Sequence, residues 1–81
     1  MITVYVGNLP YSVTEERLSS LFETHGPVAR TKIVMDRETG RPKGFAFLDM
    51  EDEDAAGAIS ALNGTRFDDR TIRVNEARPR K

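Results

Sequence analysis

The chain has 81 residues, no cysteine and no tryptophan, and 12 lysines and arginines against 13 aspartates and glutamates give it a formal net charge of −1. A chain of this length is expected to form one small domain with one core, and without cysteine it has no disulfide, no thiol nucleophile and no zinc-knuckle ligands. No stretch approaches the roughly 20 apolar residues that span a bilayer, and the N-terminus lacks the basic-then-apolar plan of a secretory signal, so a cytoplasmic protein with no membrane partner is expected.

Ile2-Thr-Val-Tyr-Val-Gly7 alternates between Ile2, Val4 and Val6 on one parity and Thr3, Tyr5 and Gly7 on the other, the pattern of a half-buried strand. Asn8-Leu-Pro-Tyr11 ends it. Ser12 or Thr14 can cap a helix whose first turn carries Glu15 and Glu16, where the helix dipole favours carboxylates. Leu18, Leu21 and Phe22 recur at helical spacing, and His25-Gly-Pro27 stops the run. A second strand is predicted over Val28 to Met35, with Arg30, Lys32 and Val34 opposite Thr31, Ile33 and Met35. Asp36 to Pro42 forms a polar turn, and the stretch to Met50 forms a third strand. A second helix, acidic in its first turn, runs from Glu51 to Leu62 with Ala55, Ala58, Ile59 and Leu62 on one face. Arg70 to Asn75 is the last predicted strand, with Ile72 and Val74 on one side and Arg73 and Asn75 on the other.

The order strand, helix, strand, strand, helix, strand is the split βαβ arrangement of an α+β, ferredoxin-like βαββαβ sandwich. Each helix has a single apolar stripe, and right-handed crossovers put both on one face of a four-stranded antiparallel sheet. The other face meets solvent.

The third strand decides which side chains lie there. Gly44, Ala46, Leu48 and Met50 share one parity, and Lys43, Phe45, Phe47 and Asp49 the other. Burying the second set would place Lys43 and Asp49 under the helices, at several kcal/mol for each unpaired charge. Exposing it forgoes roughly 1.5–3 kcal/mol of burial for each phenylalanine. The charges outweigh the rings, so Phe45 and Phe47 belong to the open face. Val4 and Val6 claim the core in the first strand, which puts Tyr5 on the open face as well.

Three of the six aromatics thus cluster on the uncovered side, the mark of an interaction surface. Residues 76–81 are too few and too polar to cover them. Arg30, Lys32, Lys43, Arg73 and Asn75 share that face by parity, and Arg37 and Arg41 sit in the loop at its edge. Aromatic platforms amid cations and amides suit unpaired bases, the rings stacking and the cations holding phosphates. Residues 14–25 sum to −2 and residues 49–64 to −5, which leaves +6 on the rest of a chain whose total is −1. The acid therefore gathers in the helical segments, behind a positive platform.

These residues resemble a known family. Val4-Tyr-Val-Gly-Asn-Leu9 is similar to the hexamer of the RNA recognition motif, and Lys43-Gly-Phe-Ala-Phe-Leu-Asp-Met50 to its octamer, K/R-G-F/Y-G/A-F-V-x-F/Y. The turn Asp36-Arg-Glu-Thr-Gly40 and the ending Val74-Asn-Glu-Ala-Arg-Pro79 look like those of small single-motif RNA-binding proteins of bacteria and cyanobacteria. The resemblance implies that Tyr5 and Phe47 stack successive bases, that Phe45 lies against the sugars between them and that Lys43 pairs with a phosphate. It also implies contacts to bases or backbone from Asn8 and from Asn75 to Arg78. Residues 1–77 are expected to form the domain and 78–81 a short basic tail. The implied ligand is single-stranded RNA, bound by a monomer with a role in post-transcriptional RNA metabolism or as an RNA chaperone. Leu48 and Met50 replace the usual valine and aromatic, but both have core parity. The acidic total implies modest affinity that falls steeply with salt.

Other motifs carry less. Asp49 to Asp54 lacks the glycine and terminal glutamate of a calcium loop and reads as a helix N-terminus, and Gly40 to Gly44 is too short for a P-loop. His25, the one histidine, sits at a helix end, and Tyr11 and Phe67 read as edge packing, with a place near the binding face left open for Tyr11. No cofactor, metal or enzymatic activity is expected: the acylphosphatases share the topology, but Asn8-Leu-Pro-Tyr-Ser-Val13 has no glycine-rich anion loop with arginine. Two alternatives remain, a protein-interaction module on the same fold and a binder of single-stranded DNA. Bases of either nucleic acid can stack on the rings.

Overall fold

The computed structural model describes residues 1–77. Its elements are β1 (Ile2–Gly7), α1 (Glu15–Glu23), β2 (Val28–Met35), β3 (Pro42–Met50), α2 (Asp52–Leu62), β4 (Arg66–Phe67), β5 (Arg70–Thr71) and β6 (Arg73–Glu76). The main sheet has the order β2-β3-β1-β6 with every neighbouring pair antiparallel. Each helix links two strands that have a third strand between them, which is the predicted ferredoxin-like topology. Among the described residues no helix is long and apolar enough to cross a membrane.

Parity governs the core. Val4 and Val6 of β1, Ala46, Leu48 and Met50 of β3 and Val74 of β6 are at most 1% exposed. Leu18 and Phe22 of α1 and Ala55, Ala58 and Leu62 of α2 close over them from one side. No charged or polar residue is buried among the described residues, so packing rather than ion pairing holds the two layers together.

Local chemistry sets the helix ends. Of the two candidate caps it is Thr14 that serves, in an extended conformation, with its Oγ1 accepting from the Arg17 N–H at 3.1 Å. Thr14→Ala is expected to lower stability by about 1 kcal/mol, read as a lower urea midpoint with an unchanged slope. The acidic run forms the first turn of α2, where Asp52 also pairs with the Met1 amino group at 2.9 Å. That contact raises the pKa of the amine, mainly through the hydrogen bond and then through the charge of Asp52.

The predicted last strand, Arg70 to Asn75, is in fact two. Arg70–Thr71 pairs with Arg66–Phe67 in a small separate hairpin, and only Arg73–Glu76 joins the main sheet beside β1. The break falls at Ile72, whose N–H donates to Thr65 O and whose carbonyl accepts from the Gly64 N–H, both at 2.9 Å. Those bonds tie Ile72 to the segment after α2 instead of to β1. Asp68, at φ 56°, supplies the left-handed residue that the two-residue turn between β4 and β5 requires. Phe67 packs partly buried against the core, with the Arg17 guanidinium 5.1 Å from its ring centroid. Arg17 also bonds Asp68 at 2.6 Å, and this hydrogen bond, partly opposed by desolvation, holds the Asp68 carboxyl below its usual value.

Met35 shares parity with Ile33 yet is 49% exposed. The register of β2 against β3 shifts between these two residues, so Met35 falls opposite Pro42 and leaves the core.

Candidate nucleic-acid interface

The register turns parity into rows. Tyr5 lies opposite Phe47 on one side and Asn75 on the other, and Phe47 lies opposite Lys32. One row across all four strands therefore reads Lys32, Phe47, Tyr5, Asn75. The row on one side holds Phe45, Gly7 and Arg73, and the row on the other holds Arg30, Asp49 and Thr3.

The three rings form a nearly equilateral triangle, with centroids 6.0 Å apart for Tyr5 and Phe45, 5.9 Å for Tyr5 and Phe47, and 6.0 Å for Phe45 and Phe47. These separations suit tilted and edge-to-face pairs, so each ring shields the others while keeping part of its surface in water. Gly7 makes room for the arrangement: a Cβ there would come within 2.5 Å of Tyr5 Oη. Gly44, at φ 99° just before Phe45, takes a conformation that a side chain would strain.

Arg30, Lys32, Arg41, Lys43, Arg73 and Asn75 are all exposed. Among the described residues none of these cations forms an ion pair; the two pairs present join Met1 to Asp52 and Arg17 to Asp68, away from the rings. The platform's positive charge thus stays available to an external anion. Glu15, Glu16, Glu23 and Glu51 to Asp54 belong to the helical layer. Asp49 does not. It lies on the open face and accepts from Thr3 Oγ1 at 2.7 Å, so the segregation of charge is less complete than segment sums suggest.

The family model described as RNA recognition motif matches residues 4–73. The chain belongs to the RNA recognition motif family. By name an RNA-binding protein, RbpA of the cyanobacterium Nostoc sp. is 46% identical over 81 residues, covering 99% of this chain and 79% of its own. The crystal structure of RNA-binding protein PG1 superposes with a TM-score of 0.93 at 41% identity, covering 100% of this chain and 99% of that one. The RNA recognition motif of Rna15 with bound RNA (GU) has a TM-score of 0.83 at 37% identity, covering 93% of this chain and 81% of that one.

Within this RNA recognition motif, the hexamer and octamer lie side by side on β1 and β3, which brings Tyr5, Phe45 and Phe47 to one surface, with Lys43 beside Phe45 in the cleft at its end. Arg30, Lys32, Arg73 and Asn75 flank them on the outer strands. Asn8 has another engagement: at φ 60°, it donates from Nδ2 to Thr71 O at 2.7 Å and accepts at Oδ1 from Arg70 Nη2 at 2.8 Å. Its side chain joins the end of β1 to β5, a contact between residues too far apart in the chain to be inferred from it. Arg78, expected to contact RNA, lies outside the described residues, as does the rest of the 78–81 tail.

Of the two places open to Tyr11, edge packing and the border of the binding face, the structure gives it the second. The residue is 66% exposed and lines a cleft of about 460 Å³ with Asp36, Thr39, Arg41, Lys43 and Phe45. The signal was present, because Tyr11 falls outside both the alternation of β1 and the helical spacing of α1, and neither element offers it a core position.

Proposed function

We propose that this protein binds single-stranded RNA along the open face of its sheet, with residues 1–77 as the binding domain, and acts in post-transcriptional RNA metabolism or as an RNA chaperone in the cytoplasm. The row Lys32, Phe47, Tyr5, Asn75 carries the reading. It sets two aromatic rings between a cation and an amide, the combination that stacks bases, neutralises phosphates and hydrogen-bonds base edges. In this reading Tyr5 and Phe47 each stack a base and Phe45 lies against the sugars between them. Lys43 and Arg41 hold phosphate at one end, while Arg30, Lys32, Arg73 and Asn75 line the path. Asn8 and Arg78 complete the edges. Binding requires no cofactor and no chemical step, and one copy of the chain suffices. Relatives named for RNA binding and a similar motif with RNA bound support it.

The test is an NMR titration with a random single-stranded RNA pool. Amides of β1 and β3 are expected to move most; no movement there would remove the reading. Phosphate contact by Lys43 has its own signature. Lys43→Ala is expected to flatten the dependence of log affinity on log salt by about one unit of slope. An unchanged slope would show that Lys43 neutralises no phosphate.

A further inference from the structure

The open face does not end at Phe45. Beside that ring, where the β2–β3 loop meets the segment after β1, the cleft of about 460 Å³ has Tyr11 and Asp36 on its walls and Arg41 and Lys43 alongside. The segment carrying Tyr11 is tied down, with the Leu9 N–H donating to Gly44 O at 2.8 Å and the Val13 N–H to Pro10 O at 3.2 Å. Its ring is therefore presented to solvent from an anchored backbone, and none of the described residues folds over it.

Asp36 is also fixed. Its backbone N–H donates to Arg41 O at 2.7 Å, its carbonyl accepts from the Gly40 N–H at 2.8 Å, and its Oδ1 accepts from the Glu38 N–H at 2.8 Å. Oδ2 has no donor among the described residues, and neither Arg41 nor Lys43 comes within ion-pair distance of the carboxylate although both line the same cleft. The turn itself needs only one acceptor oxygen, which asparagine would supply equally well. The cleft thus combines an exposed ring, two cations and an oriented carboxylate with acceptor capacity to spare.

A nucleotide uses all three: a base for Tyr11, a phosphate for the cations and a donor edge for Asp36. The carboxylate discriminates among bases because it only accepts hydrogen bonds. Guanine presents N1–H and the N2 amino group side by side, which suits a carboxylate. Adenine and cytosine pair one amino group with an acceptor nitrogen, and uracil flanks one N–H with two carbonyl oxygens, so each sets a repulsive atom against the anion. We propose that this cleft holds a further base of the bound strand and that Asp36 selects guanine there. The inference rests on the open face being the RNA site.

The experiment measures affinities, by fluorescence anisotropy, for a uracil pentamer and for the pentamers with guanine, or adenine, at each single position. One placement of guanine is expected to bind about tenfold tighter than the uracil pentamer, as a paired donor–acceptor contact to a base edge would give. Adenine at that placement should gain clearly less. Asp36→Asn keeps an acceptor for the Glu38 N–H but turns an amino group toward the guanine donors, and should bring the guanine-to-uracil ratio close to one. Tyr11→Ala should reduce the same ratio. Equal gains from adenine and guanine, no placement preferred, or a guanine gain that survives Asp36→Asn would each overturn the selection while leaving the open-face reading intact. If no pentamer bound at all, both would fall.

Discussion

Phe47→Ala is expected to weaken binding to single-stranded RNA by about 5- to 150-fold, the equivalent of roughly 1–3 kcal/mol for one lost stacking partner, while the fold persists. Phe47 is the centre of the platform: its ring stands 5.9 Å from Tyr5 and 6.0 Å from Phe45, and its backbone lies between those of Lys32 and Tyr5. Removing it takes away a base's stacking surface and the support of the two remaining rings. Tyr5→Ala is expected to have the same direction and a smaller effect, since Phe45 and Phe47 still face each other. Cross-strand aromatic pairs contribute at most about 1 kcal/mol each, so the melting transition of Phe47→Ala should move down modestly and stay cooperative. Anisotropy titration at low salt reads the affinity, and circular dichroism reads the fold. Wild-type affinity in a folded Phe47→Ala protein would place the RNA elsewhere.

What the sequence made legible follows from the range over which each constraint acts. The face of β3 could be read because Lys43 and Asp49 lie two residues from Phe45 and Phe47, and burying such charges costs more than exposing rings. The same local alternation placed Tyr5, Lys32, Arg73 and Asn75. That these residues form one row depends on register, which is a relation between strands. The division of the last strand at Ile72 depends on Thr65 and Gly64, and the engagement of Asn8 on Thr71 and Arg70, 63 and 62 residues away. Met35 leaves the core through an irregular pairing of β2 with β3 that no alternation announces. The cleft at Tyr11 forms only when the loop after β1 meets the loop after β2. Period and charge therefore reveal which face a side chain belongs to, and the neighbours it meets there come from non-local hydrogen bonds.

Leu48→Ala, one residue from Phe47, should do the reverse: destabilise the fold by about 2–5 kcal/mol and leave the RNA affinity of the folded protein unchanged. Leu48 is 1% exposed and lies opposite Val4 on one side and Thr31 on the other, beneath the helical layer. Alanine leaves a cavity there, because Val4 opposite it and the rest of the core cluster are themselves buried and relax only partly into the space. For a domain of this size the loss corresponds to a melting temperature lower by about 8 °C or more. The open face is built by side chains of the opposite parity and keeps its rings and cations. Urea unfolding measures the first effect, with an unchanged slope expected. Anisotropy well below the melting temperature measures the second. Together with Phe47→Ala the pair separates the two faces of one strand: a stable Leu48→Ala protein with impaired RNA binding would mean that the faces had been assigned the wrong way round.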